Sequence, residues 1–192
     1  MIELRDVSRW YGSVVAVNAV NCSVGPGITG LLGPNGAGKS TVLHMIAGLL
    51  SPSGGSVTID GARAVGNAEI YRTVGFVPER ETVQPFLTGR EFVRMNASLH
   101  QLKDVDAATD RAIKLVDLEG AQNRKIGTYS KGMRQRIKLA GAMVHQPSIL
   151  VLDEPFNGMD PPAARAHDGR AAPARQRRRH GADQFAHPRG AA

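Results

Sequence analysis

Residues 33–40 read GPNGAGKS, a spacing that matches the phosphate-loop pattern GxxxxGKS. Glycines in this loop allow the backbone to wrap closely around an anion, with successive N–H groups pointing at it. Lys39 supplies a positive charge for the β and γ phosphates, and the Ser40 hydroxyl is suited to bind Mg²⁺. Thr41 is expected to help hold the α phosphate. The pattern therefore predicts nucleotide binding.

Two adjacent carboxylates, Asp153 and Glu154, form a second candidate for chemistry in the stretch ILVLDEP. They follow four apolar residues that are typical of a central strand. Because adjacent side chains diverge, the two can take different roles. Asp153 suits a Mg²⁺ contact through water, and Glu154 suits polarising the water that attacks a γ phosphate. Such a pair is a weak signal alone and a strong one beside a phosphate loop.

The elements that must position these motifs belong to a mixed α/β domain, because residues 1–161 alternate apolar runs with turn signals. A strand over 28–32 and a helix over 41–50 are expected to flank the phosphate loop. Thr88 and Glu91 form a capping box that predicts a helix start. Ser130 is suited to cap another helix. Other predicted elements are strands at SVTIDG, TVGFVP and ILVLD, the last fully buried and parallel, and a helix over 106–118.

The stretch YSKGMRQ stands between the two motifs, directly before a helix. With GPNGAGKS and ILVLDEP, it resembles the ATP-binding subunit of an ABC transporter. The resemblance implies that Ser130 and Gly132 contact the γ phosphate of an ATP held by the opposite protomer. A helix N-terminus facing an anion agrees with this role. The alternative is that Ser130 is simply an N-cap.

Other positions follow from the same resemblance. Tyr11 in RWYG corresponds to the aromatic that stacks on adenine, or it is a surface aromatic on a hairpin. Glu79 stands where the family has a glutamine, and it is expected to contact Mg²⁺. The NGMD stretch over 157–160 corresponds to the D-loop, and residues 83–92 begin the subdomain that docks on a permease. The implied nucleotide-binding set is Tyr11, Gly33, Pro34, Asn35, Gly36, Ala37, Gly38, Lys39, Ser40, Thr41, Ser130 and Gly132; the metal set is Ser40, Glu79 and Asp153; the catalytic set is Glu154 and Lys39.

The implied fold is a P-loop α/β ATPase core with an N-terminal antiparallel β subdomain and a helical subdomain over about 86–145. Its implied cofactors are ATP and Mg²⁺. Its implied function is ATP hydrolysis that powers transport through a separate permease, in the export direction, as a homodimer or heterodimer of ATP-binding subunits. Two alternatives remain: a nucleotide-binding fragment without turnover, and a soluble ABC ATPase acting on ribosomes or DNA.

Residues 162–192 differ in composition, with ten Ala, seven Arg and no Ile, Leu, Val or Met. Such a segment cannot bury enough apolar surface to offset its ordering entropy, so we expect disorder. Codons compatible with residues 184–191 permit Ser-Ser-His-Ile-Leu-Glu in the neighbouring frame. We therefore hypothesise out-of-frame translation and a domain that is incomplete at its C-terminus, without the family's switch histidine, which predicts weak binding and poor hydrolysis. A natural Arg-rich extension that contacts nucleic acid or lipid is the alternative.

The net charge of +7 first suggests an anionic partner. However, the tail contributes +5 through seven Arg and two Asp, so residues 1–161 carry only +2 and no specific nucleic acid is expected. No run of 18 apolar residues and no signal peptide is present. We expect a cytoplasmic protein, peripheral on the inner face of the membrane. The single cysteine excludes an intramolecular disulfide.

Overall fold

The computed structural model describes residues 1–80 and 83–155. The predicted D-loop over 157–160 and the tail over 162–192 lie outside the described residues. Two short 3₁₀ turns stand between the last two helices, at Glu119–Ala121 and Ile126–Thr128. The elements in chain order are β1 (Ile2–Tyr11), β2 (Val14–Val24), α1 (Lys39–Ile46), β3 (Gly54–Ile59), β4 (Ala62–Arg63), α2 (Ile70–Thr73), β5 (Val74–Val77), α3 (Gly89–Leu99), α4 (Val105–Leu115), α5 (Lys131–Met143) and β6 (Ile149–Leu152).

The N-terminal strands form a four-stranded antiparallel sheet in the order β2-β1-β3-β4. This confirms the predicted antiparallel β subdomain. In β3 the buried Val57 and Ile59 are two positions apart, as the period of a strand requires, whereas the buried Leu4 and Val7 of β1 are three apart because the register shifts between them. They pack with Met45 and Ile46 of α1 into a buried cluster that also contains Val151 of β6. The phosphate-loop helix is therefore attached to both sheets.

Helices α3, α4 and α5 enclose a second apolar cluster, which includes Phe92, Ile113 and Ile137. Each helix begins at a side-chain cap. The capping box of Thr88 and Glu91 forms at the start of α3 as predicted, with both reciprocal hydrogen bonds present. Asp104 caps α4, and Ser130 caps α5. The helix predicted over 106–118 corresponds to α4, which begins one residue earlier and ends three residues earlier than predicted.

Strands β5 and β6 pair in parallel, and the Asp153 N–H continues the ladder to the Val77 carbonyl at 2.9 Å. The parallel pairing was predicted, but the prediction that the ILVLD strand is fully buried is wrong. Within β6 only Val151 is buried, and Leu150 is 37% exposed. The reason is that β6 has a single strand neighbour in the described part of the chain, whereas a central strand is covered on both sides.

The predicted strand over 28–32 is also absent from the described structure. These residues have no regular secondary structure, and Ile28 is 84% and Leu32 93% exposed. A strand needs neighbouring backbone to pair with, and no strand among residues 1–80 and 83–155 pairs with this segment. The apolar pattern alone therefore did not determine the local structure.

The helix after the phosphate loop is shorter than predicted. It ends at Ile46 rather than at residue 50, because Gly48 takes a left-handed φ of 74° and closes the chain back on Met45. This is a common way for a helix to stop.

No helix in the described ranges is long and apolar enough to cross a bilayer.

Candidate functional site

The phosphate loop turns sharply into α1. Gly36 and Gly38 both have a φ of 81°, a left-handed value that favours glycine. At Gly38 there is also no room for a side chain, because a Cβ would lie 2.3 Å from the carbonyl oxygen of Ala16 on β2. The loop is closed by a hydrogen bond from Ala37 N–H to the Pro34 carbonyl at 3.2 Å. The glycine spacing thus serves both the turn and close packing on the antiparallel sheet.

Lys39 is the first residue of α1, and its side chain folds back over the loop. The Nζ atom donates to the carbonyls of Gly33 at 2.9 Å and Pro34 at 3.0 Å. An ammonium group with neutral carbonyl acceptors can exchange them for phosphate oxygens, which form stronger charge-assisted hydrogen bonds. The lysine therefore stands where an anion in the loop would meet it.

The two sequence motifs meet through their polar side chains. The Ser40 hydroxyl donates to Asp153 Oδ1 at 3.1 Å, across 113 residues of sequence. Asp153 is only 3% exposed, and its backbone N–H is held by the parallel ladder. A buried carboxylate needs such partners. Packing of α1 against β6 therefore brings a hydroxyl and a carboxylate together at the base of the loop.

An open cleft of about 700 Å³ is lined by Ser40 but not by its buried partner Asp153. Glu154 and Glu79 both line it, although they follow different strands. Glu154 is exposed while its neighbour Asp153 is buried, as expected when adjacent side chains point in opposite directions. The backbone of Glu154 has a left-handed φ of 48°. Non-glycine residues in this region are strained and often lie at functional sites. The full lining is Ala16, Asn35, Gly36, Gly38, Lys39, Ser40, Thr41, Glu79, Glu154 and Pro155.

Ala16 and Pro155 line the cleft without having been predicted. Pro155 belongs to the ILVLDEP stretch and could have been included. Ala16 carries no chemical signal, because it enters the cleft only through the packing of β2 on Gly38. Tyr11 does not line the cleft. It ends β1, is 48% exposed, and has the Arg9 guanidinium 4.7 Å from its ring centroid, so its stacking on adenine stays a prediction.

Ser130 and Gly132 lie away from the cleft lining, at the start of α5. The Ser130 hydroxyl accepts from the Met133 N–H at 3.2 Å, so its capping role is present in the structure. Tyr129, the first residue of the YSKGM stretch, is buried and donates from its hydroxyl to the Ala121 carbonyl at 2.8 Å. This burial raises the pKa of Tyr129. Its role within one chain is therefore to anchor the exposed Ser130 that follows.

The sequence of this chain is similar to those of known proteins. The pattern of the ABC transporter family matches residues 17–157. Over 163 residues the chain is 39% identical to the ABC transporter ATP-binding protein YdbJ of Bacillus subtilis (strain 168). The aligned region covers 84% of this chain and 53% of that protein. The chain is 37% identical over 166 residues to the Nod factor export ATP-binding protein I of Rhizobium etli, with coverages of 84% and 52%. The chain thus spans about half the length of the curated relatives it matches.

A solved structure gives the same result for the fold. The dimeric post-hydrolysis state of the ATP-binding cassette MJ0796, bound to ADP and Pi, superposes with a TM-score of 0.77 at 26% identity. The superposition covers 86% of this chain and 78% of that one. The fold is therefore that of an ATP-binding cassette.

Proposed function

The chain belongs to the ABC transporter family, and we propose that it is an ATP-binding subunit whose ATP hydrolysis powers transport, in the export direction, through a separate membrane permease. The observation that carries this proposal is the Ser40 hydroxyl, which lines a cleft together with Lys39 and Glu154 and donates a hydrogen bond to the buried Asp153. The name of the Nod factor export relative supports the direction of transport.

ATP would bind with its phosphates in the loop. The left-handed turns at Gly36 and Gly38 leave a concave backbone, and α1 begins at this point, so N–H groups and the positive end of the helix favour an anion. Lys39 would transfer from the two loop carbonyls to the β and γ phosphates, and Thr41 would contact the α phosphate. Tyr11 would stack on adenine at the edge of the β subdomain.

The residues beneath the loop fit Mg²⁺. A hydroxyl and a buried carboxylate already lie 3.1 Å apart at Ser40 and Asp153, and the Glu79 carboxylate lines the same cleft. Oxygen ligands of this kind are the ones that Mg²⁺ prefers. When bound, Mg²⁺ neutralises charge on the β and γ phosphate oxygens.

Glu154 would orient and polarise the water that attacks the γ phosphorus. As the new P–O bond forms, the bond from the γ phosphorus to the β–γ bridging oxygen breaks, so ADP leaves and inorganic phosphate remains. The exposed position of Glu154 beside the buried Asp153 allows one carboxylate to face water while the other stays fixed.

Two such subunits would assemble head to tail, with Ser130 and Gly132 of each facing the ATP of the other. The exposed Ser130 at the start of α5 is free to face outward, and the dimeric MJ0796 cassette supports this arrangement. The partner subunit would be a second copy or a related chain. We place the permease contact on the helical subdomain over about 86–145, which would hold the protein at the cytoplasmic face of the membrane.

A second candidate is a nucleotide-binding chain without turnover. It is favoured by the exposed segment over 28–32, which pairs with no strand among residues 1–80 and 83–155 and leads directly into the phosphate loop. A loop whose incoming backbone is not held in a sheet loses the fixed geometry that hydrolysis requires. Binding depends less on this geometry than turnover does.

An ATPase assay on the purified chain beside its Glu154→Gln variant separates the two. We expect slow wild-type turnover that falls about a hundredfold or more in Glu154→Gln, with ATP affinity retained. ATP binding without turnover in either protein would establish the second candidate. Absence of binding, or equal turnover in both proteins, would overturn the proposal. A permease gene beside the gene for this chain is expected, and its absence would contradict the transport role.

A further inference from the structure

Lys138 is a buried lysine in the middle of α5, only 5% exposed. Its Nζ donates to the carbonyl oxygens of Pro78 at 2.7 Å and Arg80 at 3.1 Å, with the Glu79 carbonyl at 3.5 Å. These three carbonyls belong to the segment that follows β5. Burying an ammonium group is costly unless it is hydrogen-bonded, so the side chain and this segment fix each other.

The segment held by Lys138 leads into the candidate site. The β5 strand ends at Val77, and Pro78 has no N–H with which to continue a ladder. The next side chain, Glu79, is exposed and lines the cleft over the phosphate loop. The direction of Glu79 is therefore set by a backbone whose carbonyls are turned towards α5.

The helix that carries Lys138 begins at Ser130. The two residues are eight positions apart, which on a helix is about 12 Å along the axis. The same helix, α5, thus has an exposed N-terminus at Ser130 and contacts the segment that contains Glu79 through Lys138. A change at the start of α5 can reach the cleft through this contact, because packed helices move as units.

We propose that Lys138 is a positioning residue that fixes the Pro78–Arg80 backbone, aims the Glu79 carboxylate into the nucleotide cleft, and links this carboxylate to the helix capped by Ser130. The part that concerns nucleotide rests on the proposed function. The part that concerns backbone order does not, so the two can fail separately.

The backbone part is tested by limited trypsin digestion of the full chain, which cuts after the exposed Arg80 only when the segment opens. We expect cleavage there to be about tenfold faster in Lys138→Met, which keeps the aliphatic stem but removes the donors. Lys138→Arg should stay within about threefold of wild type, because a guanidinium also donates to carbonyls. The matched control is Lys114→Met, at an exposed lysine on α4, and it should change nothing.

Cleavage after Arg111 on α4 measures general unfolding in the same digest. Unchanged cleavage after Arg80 in Lys138→Met, or an equal increase at Arg111, would overturn the backbone role. If Lys138→Met does not fold, Lys138→Leu replaces it, since its side chain is also apolar and has no donor. Selective cleavage after Arg80 in that variant supports the role, and its absence overturns it.

The nucleotide part is tested by binding of a fluorescent ATP analogue with and without Mg²⁺. We expect Lys138→Met to weaken binding of the analogue about fivefold to tenfold with Mg²⁺ and hardly at all without it. Lys138→Arg should restore the wild-type affinity. In a double variant with Glu79→Gln, Lys138→Met should cause no further loss of affinity. Equal losses with and without Mg²⁺, or additive losses, would show a merely structural lysine. If the wild-type chain binds no ATP, the proposed function fails while the digestion result still decides the backbone role.

Discussion

Asp153 and Glu154 show how much two neighbouring residues can differ. Asp153 is buried, bonded to Ser40 and held in the parallel ladder, whereas Glu154 is exposed in a left-handed conformation. Their different environments follow from their places at the end of one strand. Adjacent side chains of a strand point in opposite directions. That the two side chains would lie in different environments could be predicted from the sequence, because this alternation is local, while the division of their tasks stays a prediction.

The contacts of Lys138 and Ala16 could not be predicted in the same way. Lys138 meets carbonyls about 60 residues away, and Ala16 enters the cleft through a backbone contact with Gly38. A lysine or an alanine in the sequence does not by itself indicate such a role. The phosphate loop could be predicted because glycine, lysine and serine act there through their own chemistry at a fixed spacing. Residues that act through packing become visible only in the fold.

Gly38→Ala tests the close approach at the loop. The substitution places a Cβ against the Ala16 carbonyl in addition to the strain of a positive φ, so we expect a loss of about 3 kcal/mol of unfolding free energy and loss of ATP binding. Gly61→Ala is the matched control, because Gly61 has the same φ of 81° with nothing within 4 Å. It should cost about 1 kcal/mol. Urea unfolding measures both, and equal costs would show that the Ala16 contact is unimportant.

Capping is the feature of the elements that the sequence predicted best. Thr88 with Glu91, and Ser130, begin α3 and α5 because a side-chain oxygen satisfies nearby N–H groups within one turn. The strand over 28–32 was predicted wrongly for the opposite reason. Its apolar residues are local, but the backbone partners of a strand come from distant parts of the chain.

Ser130 is an N-cap in the structure and a proposed contact to the partner's ATP, and substitution can separate the two roles. Ser130→Ala removes the cap and should lower the unfolding free energy by about 1 kcal/mol. Ser130→Asp keeps a capping oxygen, so its stability should match that of wild type, but its charge would repel the partner's γ phosphate. We therefore expect ATP-dependent dimerisation, measured by light scattering, to fail in both variants. Normal dimerisation of Ser130→Asp would show that Ser130 is only a cap.

The junction of α3 with the turn before β6 contains two stacked histidines. The His100 and His145 rings lie 3.7 Å apart at an angle of 9°, in a cleft also lined by Arg72. Burial, reinforced by the neighbouring His100, lowers the pKa of His145 from 6.5 to about 4, and a weak polar approach to the Val74 backbone opposes this only in part. Burial also lowers the pKa of His100. The folded protein therefore keeps His145 neutral at pH values where the unfolded chain protonates it.

This difference predicts a loss of stability in acid. Between pH 6.5 and about 4 the unfolded state binds more protons, so the unfolding free energy should fall as the pH falls, and it should be constant above 6.5. We expect wild type to lose up to about 2 kcal/mol between about pH 7.5 and about pH 5, measured by urea unfolding. His145→Phe keeps a stacked ring without the proton and should lose clearly less. Equal losses in the two proteins would contradict the shift.

Two apolar clusters divide the described molecule, one between the antiparallel sheet and α1, the other among the three long helices. Contacts between α5 and β5 join them, and Lys138 lies at this junction. Both the β subdomain and the helical subdomain could be predicted from the sequence, because each is built from periodic apolar faces. The sequence could not predict how completely the sheet closes, since that depends on which strands pair.

The exposed segment over 28–32 gives the most direct test of the whole fold. Leu32 is 93% exposed, so Leu32→Ala removes almost no buried surface and should change the unfolding free energy by less than about 0.5 kcal/mol. Leu4→Ala is the matched control, because Leu4 is 2% exposed in the core, and it should cost about 3 kcal/mol. Urea unfolding compares the two. A cost for Leu32→Ala close to that of Leu4→Ala would mean that the segment is a buried strand in solution, paired with backbone outside the described residues.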